Sequence, residues 1–112
     1  MDDIRGNLRV DCDLILNKME CGRMNVCLAK NISLGGVRLQ RVLEPQKDRE
    51  AVVRLEMELP GDCAPIQVTG TKIYDRDEFV GIKFTNMTRE HRSRLVAWME
   101  RHLIDSSLPA FS

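Results

Sequence analysis

The sequence has few aromatic residues, no excess of charge and no long apolar segment. Phe, Trp and Tyr together make up 4% of the 112 residues, so the core must consist mainly of aliphatic side chains. The 17 Lys and Arg balance 17 Asp and Glu, and this balance excludes a general polyanion or nucleic-acid binder, which requires a basic excess. No apolar run reaches the roughly 18 residues of a membrane-spanning helix, so we do not expect membrane insertion.

The amino terminus and the cysteines indicate a cytoplasmic protein. Residues 1–6 lack the basic and apolar regions of a secretory signal peptide. No two of the four cysteines form the C-x-x-C pair that is typical of zinc sites; they are Cys12, Cys21, Cys27 and Cys63. We therefore expect reduced thiols that pack as small apolar residues, and no metal site.

Sequence signatures of the common enzyme classes are also missing. There is no glycine-rich phosphate loop and no G-K-[S/T]. His91 and His102 would lie roughly 16 Å apart along a helix, too far to share a metal ion, and both are expected to be solvated. An enzyme that uses a cysteine thiol stays a minor hypothesis, since no base lies nearby in sequence. We expect no enzymatic activity, no catalytic residue and no cofactor.

Apolar residues alternate with polar ones through the first three quarters of the sequence, and this pattern predicts six short strands. No helical segment separates the strands, so they are expected to pair antiparallel in a barrel or a sandwich. The predicted inward faces are Val10, Cys12, Leu14 and Leu16; Met24, Val26 and Leu28; Val37 and Leu39; Ala51, Val53, Leu55, Met57 and Leu59; Ile66, Val68 and Gly70; and Val80, Ile82 and Phe84.

The last quarter has helical periodicity. Thr88 is a suitable N-cap, and Glu90 lies in the first turn, where the helix dipole favours an anion. Apolar residues then recur at helical spacing and end near Ile104; they are Leu95, Trp98, Met99 and Leu103. The sequence thus predicts one domain over residues 1–104, which is all-β with a C-terminal helix. A flexible tail is predicted over residues 105–112.

Two polar motifs precede and follow the first hairpin. Arg5 and Arg9 form R-x-x-x-R, and Asn31, Ser33 and Gly36 form N-x-S-x-x-G. Two arginines four positions apart are common in a chain this rich in charge. The second motif alone indicates a tight turn, because Asn and Ser bind local backbone and glycine supplies positive φ.

Together, in this order and spacing, the motifs resemble those of the PilZ domain, the bacterial receptor module for cyclic di-GMP. The segment 79–84, FVGIKF, followed by a Thr-capped helix, fits the same family. The resemblance extends from Arg5 to about Leu103, and implies a PilZ-like six-stranded antiparallel split barrel. It also implies that the nucleotide-binding residues are Arg5, Arg9, Asn31, Ser33 and Gly36, with Ile4, Gly35 and Arg38 as further candidates. Ile4 departs from the family pattern, since many members carry a basic residue there.

The chemistry of the ligand agrees with these residue types. Guanine presents two acceptors on one edge to a guanidinium fork, and two donors on another edge to an oxygen such as that of Asn31. Asn31 and Ser33, two positions apart in a strand, would face the same side, and Gly36 would let the backbone approach the ligand. The resemblance therefore implies a sensor that converts cyclic di-GMP binding into a conformational change or binding of a downstream protein. A PilZ-like interaction module that binds no nucleotide is the alternative.

Overall fold

The computed structural model describes residues 9–20, 22–43, 51–61 and 64–107, and the structural statements below concern these residues. All six predicted strands and the helix are present. They are β1 (Val10–Glu20), β2 (Arg23–Ile32), β3 (Gly36–Leu43), β4 (Val52–Met57), β5 (Ile66–Arg76), β6 (Phe79–Met87) and α1 (Arg89–Ser107). The helix ends at Ser107 rather than near Ile104, so its last turn lies in the segment predicted as a tail.

The strands form a closed antiparallel barrel in the order β1-β2-β3-β6-β5-β4, in which β1 pairs with both β2 and β4. The closed barrel confirms the predicted fold class. We define the upper end of the barrel as the end at which β1 and β3 begin and β2 ends. There Asp11 pairs with Asn31, and Gly36 pairs with Lys83. Because β6 also ends there, α1 starts at the upper end.

The interior of the barrel is aliphatic, as the composition predicts. The alternation along β4 is confirmed, since Val53, Leu55 and Met57 are all buried. In β2 the predicted face is wrong. Cys27 and Ala29 are fully buried, whereas Met24 and Val26 keep 60% and 41% of their surface exposed. Both faces of this strand are apolar, so hydrophobicity alone does not select one, and the smaller side chains occupy the barrel interior.

A charged side chain that is fully buried stands out among the described residues of the barrel. Lys18 on β1 is completely buried, although such residues are rarely buried unless paired. It follows Leu14 and Leu16 in the inward-facing alternation, because β1 continues to Glu20, beyond the predicted strand. The interior of β1 therefore changes from apolar at the upper end to charged at the lower end.

The helix is attached to the upper end by apolar packing and by two histidines. Leu95, Trp98 and Met99 are buried in the core, and their predicted inward face is confirmed. The backbone N–H of Gln67 donates to His91 Nδ1 at 3.0 Å, and His102 Nε2 lies 3.0 Å from the backbone oxygen of Asp11. Both histidines stay partly exposed on the surface, as the sequence predicts, and each also makes a hydrogen bond to the end of a strand.

The start of the helix is capped as the sequence predicts. The backbone N–H of His91 donates to Thr88 Oγ1 at 3.1 Å, which satisfies one of the free donors of the first turn. Among the described residues, no helix has the length and apolar character to span a membrane. The barrel and the helix thus form one unit whose upper end carries Arg9 of the first motif and the whole second motif.

Candidate functional site

The upper end brings the two predicted motifs into contact. Arg9 directly precedes β1, and Asn31 lies next to the last residue of β2. The antiparallel register places Val10 opposite Ile32, so the two motif residues become neighbours although 22 positions separate them. A guanidinium nitrogen of Arg9, Nη1, donates to Asn31 Oδ1 at 2.8 Å. This hydrogen bond joins R-x-x-x-R to N-x-S-x-x-G on the protein surface.

A second guanidinium lies on the other side of Asn31. Arg38 on β3 is the cross-strand partner of Asn31, and its side chain is exposed. The guanidinium carbon of Arg38 lies 4.1 Å from the centre of the Phe79 ring, a distance at which the cation is attracted to the ring face. This contact holds the guanidinium of Arg38, one of the further candidates, over β6, on the opposite side of β3 from Asn31.

These side chains border a shallow depression across β1, β2 and β3. Its described lining is Asp11, Cys12, Asp13, Lys30, Asn31, Arg38 and His102. Lys30 forms an ion pair with Asp13, so the carboxylate neutralises part of the basic charge. Arg9 and Arg38 remain as exposed guanidinium groups on either side of an amide. Asp11 is a second carboxylate in this lining, so together with Arg9 the surface carries a surplus of one positive charge. The two guanidinium groups can donate charge-assisted hydrogen bonds to an anion.

Ser33 does not lie on this surface, which corrects the prediction that it shares a face with Asn31. Its side chain is buried, with 6% exposed. Its hydroxyl oxygen accepts hydrogen bonds from the backbone N–H groups of Gly35 and Gly36, both at 3.2 Å. The period of two fails here because β2 ends at Ile32, and Ser33 begins the turn into β3. In this structure Ser33 stabilises the turn that follows Asn31.

Gly36 permits a close approach of two strands. A Cβ at this position would lie 2.4 Å from the backbone oxygen of Ile82 on β6, far inside normal contact. At Gly35 the nearest atom to such a Cβ is Ser33 Oγ, at 3.9 Å. Neither glycine has positive φ, so that expectation for the turn is wrong; the described glycines in the left-handed region are Gly22 and Gly61. A direct role of Gly36 or Gly35 toward a ligand stays a prediction.

The sequence matches the PilZ domain over residues 3–101. The chain belongs to the PilZ domain family. Members of this family are generally receptors for cyclic di-GMP. No curated protein matches the chain.

Solved structures support the same fold. The inhibitor of motility from Bacillus subtilis aligns with a TM-score of 0.71 and 18% identity, over 93% of this PilZ domain and 53% of that chain. The PilZ domain of CeSA from a cellulose-synthesizing bacterium aligns at 0.67 and 11% identity, over 85% and 97% of the two chains. An uncharacterized Legionella protein gives 0.54 and 16% identity, over 88% and 96%. The present chain thus spans about half the length of the motility inhibitor.

Two predicted site residues of the PilZ domain, Ile4 and Arg5, lie outside the described residues. Five described residues that line the depression were not predicted as ligand-binding residues, and Lys30 and His102 are two of them. Lys30 lies one position before Asn31, and its alternation with Ala29 indicates an outward side chain. His102 lies four positions after Trp98, so the helical period places it on the barrel-facing side with Leu95 and Met99.

Cys12 lies in the floor of the depression as a protonated thiol. Burial raises its pKa to about 11, and the carboxylates of Asp13 and Asp11 add to the shift, against a backbone hydrogen bond at Leu14 and the charge of Lys30. The thiol donates to the backbone oxygen of Ala29 at 3.2 Å. A nucleophilic cysteine needs a lowered pKa, so this environment argues against the hypothesis that Cys12 serves a thiol enzyme.

Proposed function

We propose that this PilZ domain is a receptor for cyclic di-GMP and that the nucleotide binds over the depression at the upper end of the barrel. The observation that carries the proposal is the hydrogen bond of 2.8 Å between Arg9 and Asn31. It places one residue of each motif side by side, with Arg38 as the next neighbour. Family membership independently supports the same ligand.

The proposed binding step exchanges one hydrogen bond for several. Without ligand, Asn31 Oδ1 accepts from Arg9. In the complex, the N1–H and N2–H groups of a guanine replace Arg9 as donors to this oxygen. Arg9 then donates to the guanine N7 and O6 or to a phosphate. A guanidinium has five N–H donors in a planar fork, so Arg9 can serve both ligand groups. Arg5 adds a further cation to the dianionic ligand.

The proposed output is a change in the surface that a downstream protein binds. His102 joins the backbone of Asp11 to the helix α1, and Asp11 is the cross-strand neighbour of Asn31. A ligand that moves the start of β1 therefore changes the position of α1 on the barrel. This output requires no catalysis. One structural neighbour is named an inhibitor of motility, which supports an output delivered to another cellular component.

Isothermal titration calorimetry with cyclic di-GMP tests the proposal. Wild-type protein is expected to bind saturably. Arg9→Ala and Asn31→Ala should each weaken binding roughly tenfold or more, because each removes hydrogen bonds of about 1.5–3 kcal/mol to charged groups or base edges. Arg76→Ala is the matched control, since Arg76 is an exposed arginine at the far end of β5, and it should bind like wild type.

Two outcomes contradict the proposal. If folded wild-type protein gives no binding heat and no change in any spectroscopic probe at millimolar nucleotide, the alternative of an interaction module without nucleotide is correct. If the nucleotide binds but Arg9→Ala and Asn31→Ala bind as tightly as Arg76→Ala, the ligand occupies another site. Circular dichroism spectra of all variants establish that the fold is retained.

A further inference from the structure

The outer wall of the barrel carries an apolar surface that the proposed nucleotide site does not use. We call it the β1–β2 patch; it consists of Ile15, Asn17, Met19, Met24, Val26, Leu28 and Val42. Ile15 is 65% exposed, Met24 60%, Val42 50% and Val26 41%. These residues are adjacent, because Ile15 pairs with Leu28, Asn17 with Val26 and Met19 with Met24. Val42 lies beside them at the bulge where β3 pairs with Val26 and Cys27.

The patch stands out by its lack of charge. Asp, Glu, Lys and Arg make up 30% of the sequence, yet none of these side chains belongs to the patch. Contiguous apolar surface surrounded by polar residues is typical of interaction sites, and methionines adapt their shape to a partner. In the part of the chain that the structure describes, the helix packs on β1 and β5 at the upper end and leaves the patch open.

Charged residues of both signs border the patch. Asp13 and Lys30 face each other at the upper end, where they form an ion pair. Arg54 and Glu56 lie alongside on β4, opposite Met19 and Asn17 of β1. A border that carries both positive and negative side chains can face opposite charges on a second copy of the same border. The formal net charge of zero also removes long-range repulsion between two copies of the chain.

We propose that the β1–β2 patch is the interface of a symmetric homodimer. The described barrel is closed and so has no free strand edge for β-sheet extension, which leaves packing of face against face. A two-fold axis parallel to the strands and midway between β1 and β2 sets β1 of one copy over β2 of the other. Asp13 of each copy then meets Lys30 of its partner at the border, while the apolar side chains interdigitate in the centre.

The small size of the patch is typical of a weak, transient interface. A standard stable interface involves about 20–30 residues from each partner, and the patch with its border is about half as large. We therefore expect a reversible dimer that forms in the range of about 10 µM to 1 mM protein. Its formation requires no nucleotide. Because Asp13 and Lys30 of the border also line the depression, dimer formation is measured in the absence of cyclic di-GMP.

Sedimentation velocity across that concentration range tests the proposal. The wild-type sedimentation coefficient should rise with concentration from that of a monomer toward that of a dimer. Val26→Glu places a charge at the centre of the patch and should stay monomeric throughout. Ile73→Glu is the matched control, because Ile73 is 62% exposed and lies on β5, across the barrel from β2; it should dimerise like wild type.

Mixing two variants identifies a second copy as the occupant. The two Val26 side chains of the proposed dimer lie diagonally, about one strand spacing apart. Val26→Glu and Val26→Lys should each be monomeric alone, whereas an equimolar mixture should restore dimers through the opposite charges. A wild-type protein that stays monomeric at 1 mM, or a Val26→Glu variant that dimerises like Ile73→Glu, overturns the proposal. A mixture that stays monomeric overturns the two-fold geometry.

Discussion

Gly36 gives the sharpest test of how the turn beside the candidate site is built. A Cβ at position 36 would lie 2.4 Å from the backbone oxygen of Ile82. Relief requires β3 and β6 to separate by most of an ångström. The strain falls on backbone hydrogen bonds around the turn, including Ser33 N–H to the Gly36 oxygen and Phe84 N–H to the Gly35 oxygen, both at 2.8 Å.

The expected cost of Gly36→Ala follows from these contacts. Overpacking a well-packed site costs about 1–3 kcal/mol, and one weakened backbone hydrogen bond adds about 1 kcal/mol. We therefore expect the free energy of unfolding to fall by about 2–4 kcal/mol. Gly35→Ala is the control, since its new methyl group meets only Ser33 Oγ at 3.9 Å. That variant should be neutral or more stable by up to about 1 kcal/mol, because it restricts the unfolded chain.

Urea denaturation measures both variants with an internal probe. Trp98 is the only tryptophan and is 6% exposed between the helix and the barrel, so its fluorescence reports unfolding. With a urea slope of about 1–3 kcal/mol per molar, Gly36→Ala should lower the midpoint by about 1–2 M. If Gly36→Ala and Gly35→Ala unfold at the same urea concentration, the close approach of β3 and β6 is not a constraint and the reasoning is refuted.

Three further predictions concern the thiol, the helix cap and ligand choice. With a pKa of about 11, only about one Cys12 in a thousand is a thiolate at pH 8. Alkylation by iodoacetamide, mapped by mass spectrometry, should be at least tenfold slower there than for free cysteine, and an equal rate would contradict the described burial. Thr88→Ala removes the hydrogen bond to His91 and should cost about 1 kcal/mol in urea denaturation, while Ser93→Ala, at an exposed helix position, should not; equal midpoints would refute the cap. Cyclic di-AMP carries an amino group in place of guanine O6, so calorimetry should show binding at least tenfold weaker than for cyclic di-GMP, and equal affinities would exclude readout of the base edge.

The fold could be predicted largely because each strand alternates with a period of two, but the choice of face could not always be made. In β4, Val53, Leu55 and Met57 alternate with charged residues, so the buried side is unambiguous. In β2 the residues on both faces are mainly apolar, so the alternation does not show that Cys27 and Ala29 point inward. Because the buried face of β2 is the opposite of the predicted one, Met24 and Val26 lie on the outside, where they form the centre of the β1–β2 patch.

The candidate site could be predicted in part. The family resemblance implied that Arg9 and Asn31 bind the same ligand, and the structure has the two side chains in direct contact. The role of Ser33 was missed because it depends on where β2 ends, and alternation does not mark the last strand residue. His102 was missed for a different reason: its contact with the Asp11 backbone joins residues 91 positions apart, and no local pattern encodes such a distance.

The central claim is that cyclic di-GMP binds at the upper end of the barrel, and a nitrogen-15 NMR titration tests it most directly. Saturating nucleotide should shift the backbone amides of Arg9, Asp11, Asn31 and Arg38 most strongly, with a single binding curve. Amides at the lower end, from Ile73 to Asp77, should change little, because they lie at the opposite end of β5. Shifts concentrated at the lower end, or none at millimolar nucleotide, would contradict the account.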